Sequence, residues 1–247
     1  MKNDIKDYID LYNCGSSLNK IELPKSDEHY AIFKNSNVDI RIVDREANLR
    51  MLVDVDKFSS LSDFLKDTEE FSHRYFYMIP VQTPTGTIVG FILRTVYGKS
   101  YITISNSFVE RVKYVPFMFG WYKDFLAYDK ETKRLPIVIC EGPKDCMVLK
   151  KIYPYTLSNN TSSLGVNLEV LKQISNDFIL VYDNDEAGID GMKKDKKLLL
   201  NQRCFCDTFH TPDGFKDVSK LVFHKEKFRE FGNTLLKKIN SIYLHTV

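Results

Sequence analysis

Two short apolar runs constrain this chain most. IVIC at 137–140 gives way directly to Glu141, and FILVY at 178–182 gives way directly to Asp183, with Asp185 two residues on. Runs of four or five wholly apolar, β-branched-rich residues suit strands buried on both faces, the mark of a parallel sheet covered by helices. The intervals fit that reading. A helix is expected at 143–152, with Pro143 in its first turn. YTLS (155–158) supplies another strand, NLEVLKQI (167–174) a second helix, 187–200 a third, and CFCDTF (204–209) a last strand. Strands alternating with helices make an α/β unit with a parallel sheet and helices on both faces.

In such a sheet ligands collect at the carboxyl ends of the strands. Glu141, Asp183 and Asp185 can therefore meet at one edge although more than forty positions separate them. Asp145, one helical turn past Glu141, can face the same edge. Crowded carboxylates repel, and they stay ionised best around a cation. An all-oxygen set favours Mg²⁺ or Mn²⁺. The alternative is that these acids are solvated strand ends, or caps of the helices that follow. Two acidic clusters, each closing an apolar strand, favour the metal site.

Upstream the texture differs. YFYMIPV, a TPTG turn and TIVGFILR read as a β-hairpin over 75–94, which YITIS (101–105) extends. FSSLSDFLKDTEEF (58–71) suits an amphipathic helix with Phe58, Leu61, Phe64 and Leu65 on one face. HYAIF and VDIRIV read as strands within the first 56 residues. The polar, proline-ended AYDKETKRLP (127–136) marks a junction. The expected divisions are thus 1–56, of unknown role; 57–135, a mixed sheet and helix subdomain of α+β type; 136–220, the parallel-sheet domain; and 221–247, a helical segment. The last is expected to close the core against the rest of the chain.

Composition excludes several classes. The 35 Lys and Arg nearly balance the 33 Asp and Glu, so nucleic-acid contact must come from a local patch. No apolar run approaches membrane-spanning length, and MKNDIKDYID has no apolar signal core. The five cysteines include no CxxC pair, which argues against a disulfide framework or zinc finger and for a reducing, cytoplasmic setting. The five histidines are dispersed, and there is no Walker loop.

EGPKD (141–145) and DNDEAG (183–188) resemble the two signature motifs of the TOPRIM domain, which DnaG-type primases, topoisomerases and several nucleases share. SSLGVNLEVLKQI (162–174) resembles the loop and helix between those motifs in the primases. TPDGFKD (211–217) resembles their later PDGKD motif with Phe215 inserted. IPVQTPTGTIVGFILR (79–94) and YITISNS through FGW (101–121) resemble the hairpin region of the primase RNA-polymerase core.

The resemblance implies a minimal, phage-like DNA primase without a zinc-binding domain. Such an enzyme makes short RNA primers from ribonucleoside triphosphates on single-stranded DNA, by metal-dependent nucleotidyl transfer in DNA replication. It implies Glu141, Asp183 and Asp185 as catalytic metal ligands, joined by Asp217, with Asp213 second to it. Asp145 would orient a ligand or bound water. Arg94, Lys99, Tyr101, Asn106 and Lys216 would contact nucleotide or DNA. Mg²⁺ or Mn²⁺ is implied, with no zinc. The partners are the DNA template, the triphosphates and a replicative helicase, with no membrane, in the cytoplasm (the host's if phage-encoded). The alternatives are a TOPRIM metal-dependent nuclease, and a non-catalytic relative that binds single-stranded DNA or a helicase. Trp121, Tyr122 and Phe125 suit core packing better than base stacking. The lysines at 193, 194, 196 and 197 suit a solvated helix face.

Overall fold

The computed structural model describes residues 5–18, 28–44, 75–83, 85–96, 101–105, 118–120, 136–160 and 164–245. The chain divides into two compact units, Met1–Val81 with Ile88–Lys113 and Gln82–Thr87 with Tyr114–Val247. The helix expected at 58–71, Lys99, Asn106, Trp121, Tyr122 and Phe125 lie outside the described residues.

In the first unit, strands β1 (Ser16–Ser17), β2 (Arg41–Asp44), β3 (Tyr75–Gln82), β4 (Ile88–Thr95) and β5 (Tyr101–Ser105) form one sheet in that spatial order. The hairpin and its third strand are where the alternating patterns put them. Helix α1 (Ile5–Cys14) lays Leu11 and Tyr12 against Val43, Phe76, Met78, Phe91 and Leu93. Residues of opposite parity face the other way, and there Tyr77 meets Phe33 of α2 (Glu28–Lys34), ring centroids 4.9 Å apart. Covering both faces explains why six consecutive residues of β3 are buried. Pro80 is tolerated in this inner strand because the pairing of Arg41 with Met78 places it past the end of β2.

One expectation fails here: HYAIF is helical, part of α2. Ile32 and Phe33 are adjacent and both buried. A strand exposed on one face cannot do that, but the apolar stripe of a helix can.

The second unit holds the sheet β10-β9-β7-β8-β6, made of β6 (Met118–Phe119), β7 (Ile137–Cys140), β8 (Thr156–Asn159), β9 (Asp177–Val181) and β10 (Phe205–Thr208). All its pairings are parallel except that of β6 with β8. Helices α3 (Pro143–Leu149), α4 (Leu168–Ile174) and α5 (Glu186–Asn201) connect the parallel strands. Ile137, Ile139, Phe178 and Leu180 point into one core layer with Leu168, Leu171, Met192 and Leu199. Val138, Cys140, Ile179 and Val181 point to the opposite face and are equally buried. On that side lie α3, α6 (Val218–Leu221) and α7 (Lys225–His245). Phe231 of α7 packs on Phe209, ring centroids 5.0 Å apart. Its Lys238 Nζ reaches Asp207 at 2.6 Å. The fold is α/β, with a mostly parallel sheet in one unit and a mixed sheet-and-helix first unit.

Met118 and Phe119 join this sheet from ahead of residue 136. Gly120 follows them at φ +109°, where a Cβ would stand 2.7 Å from the Thr156 carbonyl and 2.8 Å from Cys146 Sγ. Backbone conformation and space both require glycine there. Among the described residues no helix is long and apolar enough to cross a membrane.

Candidate active site

The strand order has a topological switch. From β7 the chain moves to β8 on one side, then crosses back to place β9 on the other. The connections after β7 and β9 leave in opposite directions, and in open parallel sheets the carboxyl ends of such a strand pair are where ligands bind. Cys140 pairs with Val181 in that register, so Glu141 and the residues after Val181 emerge side by side. The strand ends at Val181, so Asp183 stands two residues beyond it rather than directly at its end. Glu141 Oε1 accepts the Asp183 backbone N–H at 3.0 Å, which ties the two motifs together.

Asp185 is the N-cap of α5, its Oδ1 accepting the Gly188 N–H at 2.9 Å. Its other oxygen, Oδ2, lies 2.8 Å from Lys216 Nζ, which is also 3.6 Å from Asp183 Oδ2. The Asn184 N–H donates to the Lys216 carbonyl at 2.6 Å and so fastens the 211–217 loop to the acidic turn. Asp217 caps α6, its Oδ1 accepting the Lys220 N–H at 2.8 Å and the Ser219 hydroxyl at 2.5 Å. Asp145 Oδ1 accepts the Ser219 N–H at 2.9 Å. Glu141, Asp183, Asp185 and Lys216 form one linked group; Asp145, Ser219 and Asp217 form a second.

Charge couples the two groups. Burial raises the Asp183 carboxyl above the usual carboxylate range, and the charges of Asp217 and Asp185 push the same way against Lys216. Burial raises Glu141 as well, aided by Asp183 and Asp185. Asp145 is pushed up to about 7, first by burial and then by the charges of Asp183 and Asp217, against the pull of Lys144 and the Ser219 N–H. Asp185 goes the other way, held low by Lys216 and the Gly188 N–H.

Among the described residues no three acidic, histidine or cysteine side chains converge in a metal-ligating cluster. The donor set nevertheless suits a hard divalent cation. Asp183 and Asp185 already share one cation, the Lys216 ammonium. Mg²⁺ characteristically takes one or two carboxylates and completes its shell with water and phosphate oxygens.

Among the other sequence-derived residues, Asp213 is exposed in its turn, whereas Asp217 is buried. Arg94 belongs to the first unit, near the end of β4, with Tyr101 its cross-strand partner. In the lysine run, Lys193, Lys194 and Lys197 are exposed.

Sequence reasoning missed Asp195, which is 2% exposed inside α5. Its Oδ2 accepts the Tyr182 hydroxyl at 2.7 Å and its Oδ1 the Leu164 N–H at 3.3 Å. It thereby ties the residue before Asp183 to the turn that precedes α4. The signal was present: Met192, Asp195 and Leu199 keep the spacing of one buried stripe, so the acid interrupts the core face rather than the lysines. Asp195→Ala, which strands a buried hydroxyl and a buried N–H, is expected to cost about 2–3 kcal/mol in urea unfolding. Asp195→Asn should lose much less, and equal losses in the two variants would remove this role.

Residues 138–222 match the sequence profile of the Toprim-like family. No curated protein sequence matches the chain. Among solved structures, the Aquifex aeolicus primase (zinc-binding and RNA polymerase domains) is similar with a TM-score of 0.65 at 20% identity, over 95% of this chain and 62% of that one. The E. coli primase catalytic core gives 0.59 at 16%, over 91% of this chain and 80% of that one. A DnaG primase catalytic domain bound to single-stranded DNA gives 0.57 at 16%, over 94% and 83%. The second unit thus carries a Toprim-like domain. The chain as a whole has the fold of DnaG-type primase catalytic cores, and it spans 62% of the Aquifex chain's length.

Proposed function

We propose that this protein is a DNA primase. It joins ribonucleoside triphosphates into short RNA primers on single-stranded DNA, in DNA replication, in the cytoplasm and beside a replicative helicase. One observation carries the reading. In a fold shared with primase catalytic cores, Glu141 accepts the Asp183 backbone N–H, and Asp183 and Asp185 share the Lys216 ammonium, beyond the carboxyl ends of neighbouring parallel strands.

Glu141, Asp183 and Asp185, with Asp217, would hold Mg²⁺ or Mn²⁺. The bound metal would neutralise the triphosphate and stabilise the attacking 3′-oxygen and the departing pyrophosphate. The chain's own part is positional. The Glu141–Asp183 hydrogen bond fixes the spacing of two carboxylates, and the α5 cap fixes the rotamer of a third. Asp145 holds the first turn of α6 and hence the carboxylate of Asp217. Arg94, Lys99, Tyr101 and Asn106 are proposed as template and nucleotide contacts, and 136–220 as the catalytic domain after 1–56 and 57–135, with 221–247 closing its core.

The test is incubation of purified protein with single-stranded DNA, labelled ribonucleotides and Mg²⁺ or Mn²⁺, beside an Asp183→Asn, Asp185→Asn double variant. Short RNA products are expected, reduced about 1,000-fold in the variant, which is the several kcal/mol that metal stabilisation supplies. Shortened DNA without RNA would transfer the assignment to a nuclease. DNA binding with neither product, helicase present or absent, would leave a binding module.

A further inference from the structure

The Lys216 ammonium occupies the ground that a metal would need. Asp185 has one carboxylate oxygen committed to the Gly188 N–H, and the other lies 2.8 Å from Lys216 Nζ. The Asp183 oxygen nearest the lysine is Oδ2, at 3.6 Å. The backbone beneath the lysine is held on two sides. Its carbonyl accepts the Asn184 N–H at 2.6 Å. The preceding Phe215 ring packs against His224, centroids 4.9 Å apart, with Lys227 Nζ 4.9 Å from its centre. The Phe215 carbonyl accepts the Thr211 hydroxyl at 2.7 Å, and its N–H donates to the Pro212 carbonyl at 3.1 Å. A fixed backbone thus carries a long side chain that is half exposed and can swing away from the acids.

We propose that Lys216 is a resident counter-cation of the acidic edge, displaced when a divalent metal takes the Asp183–Asp185 pair. This rests on the metal-site reading above. An ammonium and a divalent ion drawing on the same oxygens repel each other, so metal alone binds weakly against Lys216. A nucleoside triphosphate changes the balance, because its phosphate oxygens offer the freed ammonium a new partner while they complete the metal's shell. Metal and triphosphate then bind cooperatively, and the lysine is the element that couples them. In the metal-free protein the same ammonium relieves the repulsion between Asp183 and Asp185.

The experiment measures Mn²⁺ binding to the full chain by the paramagnetic resonance of free Mn²⁺, with and without a ribonucleoside triphosphate. Lys216→Met and Lys216→Gln are expected to bind Mn²⁺ alone about three- to tenfold tighter than the parent chain. They should also gain less affinity when the triphosphate is added. Lys216→Arg should behave like the parent, and Asp185→Asn should lose binding. Both neutral variants should melt below the parent in EDTA and recover the difference at saturating Mn²⁺, whereas a merely structural lysine would leave the deficit unchanged. Equal or weaker Mn²⁺ binding by both neutral variants, with binding still lost in Asp185→Asn, overturns the counter-cation role and leaves the metal site standing. Absence of Mn²⁺ binding in the parent, or its persistence in Asp185→Asn, overturns both.

Discussion

Gly188→Ala should abolish the acidic site while Gly191→Ala, one turn along the same helix, should not. A Cβ built on Gly188 would lie 2.2 Å from the Asp183 carbonyl oxygen and 2.7 Å from Glu141 Oε1. The first neighbour is backbone and cannot turn aside, so the start of α5 must retreat. Three bonds converge there: the Asp185 cap onto the Gly188 N–H, the Asp183 N–H onto Glu141, and the Asn184 N–H onto Lys216. Overpacking of this kind costs about 3 kcal/mol. An ångström of displacement among catalytic groups costs about 100-fold in rate. At Gly191 the nearest atom to a new Cβ is a Tyr182 ring carbon at 3.7 Å, an ordinary contact. Alanine there should be neutral, or stabilise by about 0.5–1 kcal/mol through helix propensity. Urea unfolding and the primer assay on both variants check this, and matching behaviour of the two would sink the steric argument.

Those same residues show what a sequence reveals and what it withholds. The parallel sheet was legible because β7 and β9 are buried on both faces, and complete burial leaves a contiguous apolar run. That Glu141, Asp183 and Asp185 follow the ends of β7 and β9 was legible because strand ends are fixed by where such runs stop. What pins Asp183, by contrast, is a hydrogen bond across 42 positions, and no local pattern records it. The contact of Lys216 with Asp185 is equally non-local, since a lysine beside an acidic motif reads the same whether it faces phosphate or carboxylate. β6 escaped notice because two residues on a sheet edge carry no periodicity. HYAIF misled because five residues are too few to separate a period of 2 from one of 3.6 when two adjacent members are buried. Asp195 was hidden among lysines that drew attention to charge rather than to the stripe it interrupts.

Without metal, the protein should lose stability between about pH 4 and pH 7, and Asp145→Asn should remove most of that loss. Asp145 is 8% exposed and its carboxyl is pushed up to about 7, so the folded chain keeps a proton that the unfolded chain releases near pH 4. A folded state that binds more protons is favoured at low pH. The contribution is therefore complete below the unfolded value and disappears as pH rises through the folded one. Its ceiling is about 4 kcal/mol for three units of difference. Glu141 and Asp183, both raised, contribute in the same direction. Asp185 and Asp207, both lowered, contribute stability that is present above the unfolded value and lost only as pH falls below it, outside this window. Asparagine keeps the Oδ1 that accepts the Ser219 N–H but carries no charge toward Asp183 and Asp217, so the variant should be the more stable protein at pH 8. Urea unfolding in EDTA at pH 5, 6, 7 and 8 gives the difference between the two chains, and that difference should widen from pH 5 to pH 7 and level off toward pH 8. Parallel profiles would mean that Asp145 is already ionised in the folded protein. The charge of Asp145 would then be a permanent part of the acidic edge, available to a bound cation at every pH in that range.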